Sequence, residues 1–374
     1  MQHGLLKIKN DDVSETVNEF LKELLASKKI SALLVPQMIP SKKAVFPVLI
    51  SDPNKLSADV FAPVLPVSTA TIVSKITKHQ APSTPIAVVL HPCQIRALIE
   101  LTKLNQASLE NIILIGVDCL GTYPVTTYAV LAEKKNPTKQ ILETLTKKTS
   151  DTESKLRTAC KVCTEPIPGY ADMSIGLYGM HLEKEILIQV HTDAGKKLIS
   201  EVTLEDAQDK IKHREQVVKK IGEEREKAVQ SFIHEKAGSK GIEALTKFFD
   251  TCSNCHNCMK ACPICYCKEC LFDSSVFDAE GNKFIRKAEQ KGLFKMPSDV
   301  LLFHVGRMNH MILSCVKCGL CEQACPSLIP LMDIFIPAAV NAQKEFTYHP
   351  GKDKDEKIPM IVYREDEYTD VGEA

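Results

Sequence analysis

The sequence predicts an α/β domain in the first half of the chain, then a long charged helix, then a cysteine-rich helical module. Three observations predict this order. Apolar runs alternate with helix-periodic stretches over roughly the first 200 residues. A highly charged segment that follows keeps one apolar stripe. Beyond it the pattern C-x2-C-x2-C-x3-C-P occurs twice.

In residues 1–200, Val13, Val17, Phe20, Leu21, Leu24 and Leu25 recur at helical spacing, and "ISALLVP" and "AVFPVLI" read as strands. The runs "IAVVLHPC" (86–93) and "NIILIGVDC" (111–119) read as buried strands, each ending at its cysteine. A helical stretch from Gln94 to about Asn105 joins them. If these strands are parallel neighbours, their carboxyl ends lie side by side, where open α/β sheets place ligands. "EKEILIQV" closes the domain near Val190.

Residues 201–250 are the helical connector. Thr203 is the expected N-cap, with Asp206 three residues on. Leu204, Ala207, Ile211, Val218, Ile221, Ala228 and Phe232 form the stripe, and Gly238 and Gly241 end the helix. The cysteine module takes residues 251–342. Between its motifs, Ser298 is the expected cap of a helix carrying Val300, Leu301, Phe303, His304 and Met308. His304 and His310 read as core or interface residues. Lys283, Arg286, Lys287, Lys291 and Lys295 read as a solvated basic face, or as a dock for an acidic partner. Residues 343–374 form a charged tail, whose "IPMIVY" is a candidate strand for a neighbouring subunit.

Composition bounds the function. The chain has 374 residues, 44% hydrophobic and 25% charged, as a globular protein of two or three domains has. Lys+Arg and Asp+Glu balance at 47 each, which argues against nucleic acid or an anionic membrane as the main partner. The start carries no basic region followed by an apolar run, and no stretch suits a membrane span. The expected location is the cytoplasm, where thiols stay reduced. Fifteen cysteines there read as metal ligands, not disulfides.

Cys252, Cys255, Cys258 and Cys262 precede Pro263, and Cys315, Cys318, Cys321 and Cys325 precede Pro326. This is the two-cluster ferredoxin run, in which the fourth cysteine of each motif serves the other cluster. Cys252, Cys255, Cys258 and Cys325 are therefore expected to hold one 4Fe–4S cluster, and Cys262, Cys315, Cys318 and Cys321 the second. The full prediction is an α/β N-terminal domain, a long helix and a helical two-cluster ferredoxin-like module. Zinc is the competing use of C-x2-C pairs, but two zinc sites need no repeated order ending in Cys-Pro.

Upstream, Cys93 and Cys119 end the two strands, and Cys160 and Cys163 form another C-x2-C. Together they make four thiolates for a third cluster. The other reading of Cys93 and Cys119 is as small apolar core residues.

The motifs "HPCQIRALIEL", "VDCLGTYP", "CKVCTEPIPGYADMSIG" and "CPICYCKEC" resemble the β subunit of the coenzyme F420-reducing hydrogenases and formate dehydrogenases. The similarity runs from about Ile30 to Pro330. The stretch around "HMILSCVKCGLCEQACPSLIPL" also resembles quinone- and heterodisulfide-linked electron carriers. The resemblance implies a proximal cluster on Cys93, Cys119, Cys160 and Cys163, with an FAD that exchanges a hydride with the deazaflavin and single electrons with the clusters.

The chain departs from that pattern where a flavin would be held. Glu15 and Thr16 follow Ser14 where the family's turn carries glycines, and Leu90 and His91 precede Pro-Cys-Gln. Cys265, Cys267 and Cys270 resemble the formate dehydrogenase side. They have three open uses: a further cluster with His256 as fourth ligand, replacement of a ferredoxin-type ligand, or packing. No nucleophile–base pair, phosphate loop or paired carboxylates occur. The expected role is an electron-transfer β subunit of formate-dehydrogenase or heterodisulfide-reductase type, with catalysis in a partner redox subunit. The alternative is an enzyme with its own flavin.

Overall fold

The structure, a computed structural model, describes residues 2–145, 154–236 and 241–362. One eight-stranded sheet runs through the first half, in the order β3-β2-β4-β5-β6-β7-β1-β8. The strands are β1 (Gln2–Lys7), β2 (Ala32–Met38), β3 (Val45–Ile50), β4 (Ile86–Leu90), β5 (Ile112–Val117), β6 (Met173–Gly176), β7 (Glu185–Val190) and β8 (Glu205–Asp206). From β2 to β6 the pairing is parallel, and both flanks are antiparallel.

Buried central strands explain the unbroken apolar runs, because helices cover both faces. Ile86, Val88 and Leu90 of β4 face a core with Ile112 and Leu114, against the helices Thr69–Thr77 and Pro92–Lys103. Ala87 and Val89 face the opposite core with Ile115 and Val117, under the helix Val13–Ala26. β4 and β5 pair in parallel, Ile86 opposite Ile112, so their carboxyl ends do lie together. The first core continues past the sheet into the cysteine module, through Met259, Phe303, Met311 and Phe335.

Several boundaries differ from expectation. β4 stops at Leu90, and the next helix begins at Pro92, so Cys93 sits in a helical first turn and not at a strand end. Proline at the first helical position is pre-set for that turn. The connector helix spans Gln208–Lys236, and Glu205–Asp206 pair with β1 instead of forming its first turn. Ala207 is buried and Ile211, Val218, Ile221, Ala228 and Phe232 are half-buried, so the stripe is real. Its most buried polar member is Arg214, which the pattern did not single out. Gly238 lies outside the described residues. Asp299, not Ser298, is the N-cap of the helix Val300–Met311. His304 is buried, whereas His310 is exposed and belongs to no core. Within "IPMIVY", residues Pro359–Ile361 form a short 3-10 turn instead of a strand, and the tail from residue 363 lies outside the described residues.

Candidate metal centres

The carboxyl ends of β4 and β5 build the first centre. Cys93 follows β4, Cys119 follows β5, and the short helix Thr158–Lys161 brings Cys160 and, just beyond it, Cys163. All four line one cavity of about 610 Å³. Cys318 of the second ferredoxin motif lines it too, which the spacing did not foretell.

Two polar devices hold this centre. Asp118 is buried and accepts from the backbone N–H groups of Leu177 (2.7 Å) and Tyr178 (3.0 Å). It also accepts from both terminal nitrogens of Arg214, at 2.6 and 2.8 Å. This bidentate pair fixes the end of β5 one residue before Cys119. The second device is Arg157, whose Nε donates to Thr122 Oγ1 at 2.8 Å and whose Nη2 donates to Cys160 Sγ at 3.7 Å. Burial opposes a thiolate at Cys160, but Arg157 and the hydrogen bonds from Thr122 more than offset it, so this thiol ionises more easily than usual. Burial pushes Cys93 up to about 12 and Cys119 well above the usual thiol range. The surrounding protein by itself thus disfavours their thiolates, and a bound cation would reverse that.

The ferredoxin-type loops share a backbone design. Asn254 and Lys317, each two residues after a first cysteine, are left-handed at φ 55 and 56°. So are His256 and Gly319, each just after a second cysteine, at φ 58 and 71°. Cys252, Cys255, Cys258 and Cys325 line one small cavity, walled by His256, Phe303 and His304. The crossed arrangement, with the last cysteine of one motif beside the first three of the other, is thus present in space. His304 Nε2 lies 3.3 Å from Cys252 Sγ, and its ring stacks on Phe249 at 3.9 Å. Cys262 is within electrostatic range of Cys315, Cys318 and Cys321, in the buried interior of the module.

The three remaining cysteines have separate neighbours. Cys265 shares a hydrogen bond with Cys262, which favours a thiolate on Cys262 and keeps the proton on Cys265. Cys270 Sγ donates to Met259 Sδ at 3.5 Å, and Cys267 is exposed. His256, the candidate fourth ligand, has Nδ1 2.7 Å from Asp273 Oδ1 and stacks on Phe303.

Each set supplies four thiols, the number of ligands that a cubane takes. Among the described residues, no three His, Cys, Asp or Glu side chains converge on a point suited to one ion. Zinc would draw each sulfur to about 2.3 Å from a single centre, whereas a cubane gives each thiolate its own iron and keeps the sulfurs apart. A flavin pyrophosphate does not fit the first helix. Asp12 already caps it, accepting from Glu15 N–H at 3.0 Å. The adjoining cavity of about 380 Å³ is lined by Asp11, Asp12, Glu143 and Glu183.

Sheet, module and thiol sets together define an iron–sulfur protein, and comparison with known proteins agrees. Residues 248–329 match the 4Fe-4S dicluster domain, and residues 84–216 match the carboxy-terminal part of the coenzyme F420 hydrogenase/dehydrogenase β subunit. The chain is thus similar to this F420 hydrogenase/dehydrogenase β-subunit family over part of its length. It is 29% identical over 295 residues to the F420-dependent formate dehydrogenase subunit beta of Methanocaldococcus jannaschii, covering 72% of this chain and 74% of that one. It is 29% identical over 321 residues to the F420-dependent formate dehydrogenase 1 subunit beta of Methanococcus maripaludis, covering 76% and 78%. A chain of the F420-reducing NiFe hydrogenase complex from Methanosarcina barkeri aligns at a TM-score of 0.46 and 11% identity, over 63% of this chain and 92% of that one. No helix among the described residues is long and apolar enough to cross a membrane.

Proposed function

We propose that this chain is the electron-transfer β subunit of an F420-dependent formate dehydrogenase or hydrogenase-type complex, relaying electrons through three 4Fe–4S clusters to or from a partner redox subunit. The matched family and the dicluster domain support the type, and the relatives supply the formate or hydrogen side of the chemistry. Cys93, Cys119, Cys160 and Cys163 would hold the upstream cluster. Cys262, Cys315, Cys318 and Cys321 would hold the middle one, and Cys252, Cys255, Cys258 and Cys325 the outer one.

When bound, such clusters supply one-electron transfer at potentials set by their surroundings. On this reading the three sets would stand in series. The observation that carries this reading is Cys318, a middle-set residue that also lines the upstream cavity. At the other end, Cys255 is exposed, as the outlet of a relay to a partner needs. No substrate-activating group is required of this chain, so oxidation of formate or hydrogen belongs to the partner. The heterodisulfide-linked and flavin readings have no comparable support.

The test is iron content after anaerobic purification. About twelve irons per chain are expected, and Cys160→Ser should leave about eight with the ferredoxin-type EPR signals intact. Eight irons in the unaltered chain would end the third-cluster assignment. Stoichiometric flavin released by acid would favour the flavin reading instead.

A further inference from the structure

Among the described residues, two interior arginines have no carboxylate hydrogen-bonded to them, the partner that buried cations ordinarily have. Arg307, on the helix Val300–Met311, is 2% exposed. None of its three guanidinium nitrogens has an oxygen acceptor. Its Cζ lies 4.9 Å from the centre of the Phe335 ring, and its charge faces the sulfurs of Cys321, Cys262, Cys258 and Cys265. Arg157 is 6% exposed, and its Nη1 has no partner. That nitrogen lies 3.8 Å from where a side chain at Gly319 would begin, next to Cys318. Arg157 Nε and Nη2 donate to Thr122 and Cys160, and Cys93, Cys318 and Glu322 lie within reach of its charge.

A buried cation with no carboxylate bound to it costs several kcal/mol, so each arginine marks a place where negative charge is expected. Their positions are specific. Cys160 and Cys93 belong to the upstream set, and Cys318 to the middle set. Cys262 and Cys321 belong to the middle set, and Cys258 to the outer one. Each arginine thus stands at one of the two junctions in the series.

We infer that Arg157 and Arg307 are the fixed counter-cations of the relay, each positioned between two neighbouring cluster sites and holding both at higher reduction potential. This rests on the three-set reading above. Four thiolates make a bound cluster anionic, and each reduction adds one more negative charge. A fixed cation in a dry, low-dielectric interior favours the more negative state. One cation shared by two sites serves both, which no surface lysine screened by water would do. Neither arginine exchanges electrons or protons itself. They are positioning residues, and their substitution should move potentials more than assembly.

The experiment is an EPR-monitored redox titration of the full chain, purified anaerobically, with iron counted in every sample. In Arg307→Met, the signals of the middle and outer sets should shift so that reduction is at least tenfold less favourable, which is 59 mV for a one-electron couple. The upstream signal should stay put. In Arg157→Met, the upstream and middle signals should shift and the outer one stay. Arg307→Lys and Arg157→Lys, which keep the charge, should recover most of each shift. If a Met variant loses iron but its Lys counterpart keeps it, the requirement for charge is likewise met. Unmoved potentials in iron-replete Met variants would overturn the inference and leave the three-cluster reading intact. So would loss of iron in both Met and Lys forms. A wild-type chain with eight irons would instead remove the three-set reading, and the Arg157 half of the inference with it.

Discussion

The loops Cys252–Cys258 and Cys315–Cys321 are the same device in different surroundings. Both spell C-x2-C-x2-C, and both turn through left-handed residues at matching positions. In the outer loop Cys255 is exposed and Cys252 half-buried, and the wall is aromatic, from His256, Phe303 and His304. In the middle loop Cys315 and Cys321 are buried, and the loop abuts the upstream thiol helix. Spacing specifies the loop, and its neighbours specify how deeply it is buried and what it abuts.

The sharpest difference sits at one matched pair, His256 and Gly319. A Cβ on Gly319 would come within 2.6 Å of Ala159 Cβ, on the helix that carries Cys160. His256 has room, and its ring stacks on Phe303 at 4.3 Å. Gly319→Val should therefore have the largest effect among the loop variants. It combines left-handed strain of about 1–2 kcal/mol with overpacking of about 1–3 kcal/mol. The expected outcome is a clearly lower melting temperature. Adding Ala159→Gly should restore the overpacking part only. If Gly319→Val melts like wild type, the close approach of the middle loop to the upstream helix is wrong.

A smaller effect sharpens the contrast in how the loops are held. Gln343 Nε2 donates to the carbonyls of Ile312 (3.1 Å), Leu313 (3.2 Å) and Cys315 (2.8 Å). Its Oε1 accepts from Lys317 Nζ at 2.8 Å. The buried loop thus depends on a polar clamp where the exposed loop depends on stacked rings. Gln343→Leu leaves these groups without partners, at about 1–3 kcal/mol. The loss should appear in denaturant unfolding of the full chain. An unchanged midpoint would mean that the clamp contributes nothing to the loop.

These particulars mark what could be read from the sequence. Long buried strands such as β4 and β5 were legible because the chain cannot hide five or six apolar residues elsewhere. β1 and β6 were not, since "QHGLLK" is mixed and "MSIG" is only four residues long. Cysteine spacing gave the ferredoxin-type sets, since the pattern is local. Arg157, Arg214 and Arg307 carry no such mark. An arginine in a charged or amphipathic helix looks solvated until the fold shows what it faces. Asp118 had a faint one, standing directly before Cys119, but its partner Arg214 lies 96 positions away. The double position of Cys318 is likewise a property of packing, not of any motif.

The smallest predicted effect tests whether the two left-handed positions are equivalent. His256 holds φ 58° with a full side chain, so it carries strain that Gly319 avoids. His256→Ala removes the ring stack, worth about 0.5–1.5 kcal/mol, and leaves the strain in place. His256→Gly removes the same stack and relieves strain of about 1–2 kcal/mol. Against that gain stands the greater freedom of glycine in the unfolded chain, about 0.4–1 kcal/mol. The balance makes the glycine variant at least as stable as the alanine variant, although alanine is ordinarily the better residue at a compact site. Comparing the two by denaturant midpoint isolates the backbone from the ring. An alanine variant more stable than the glycine variant by about 1 kcal/mol would mean that residue 256 is not held left-handed in solution, and the matched geometry of the two loops would fail there.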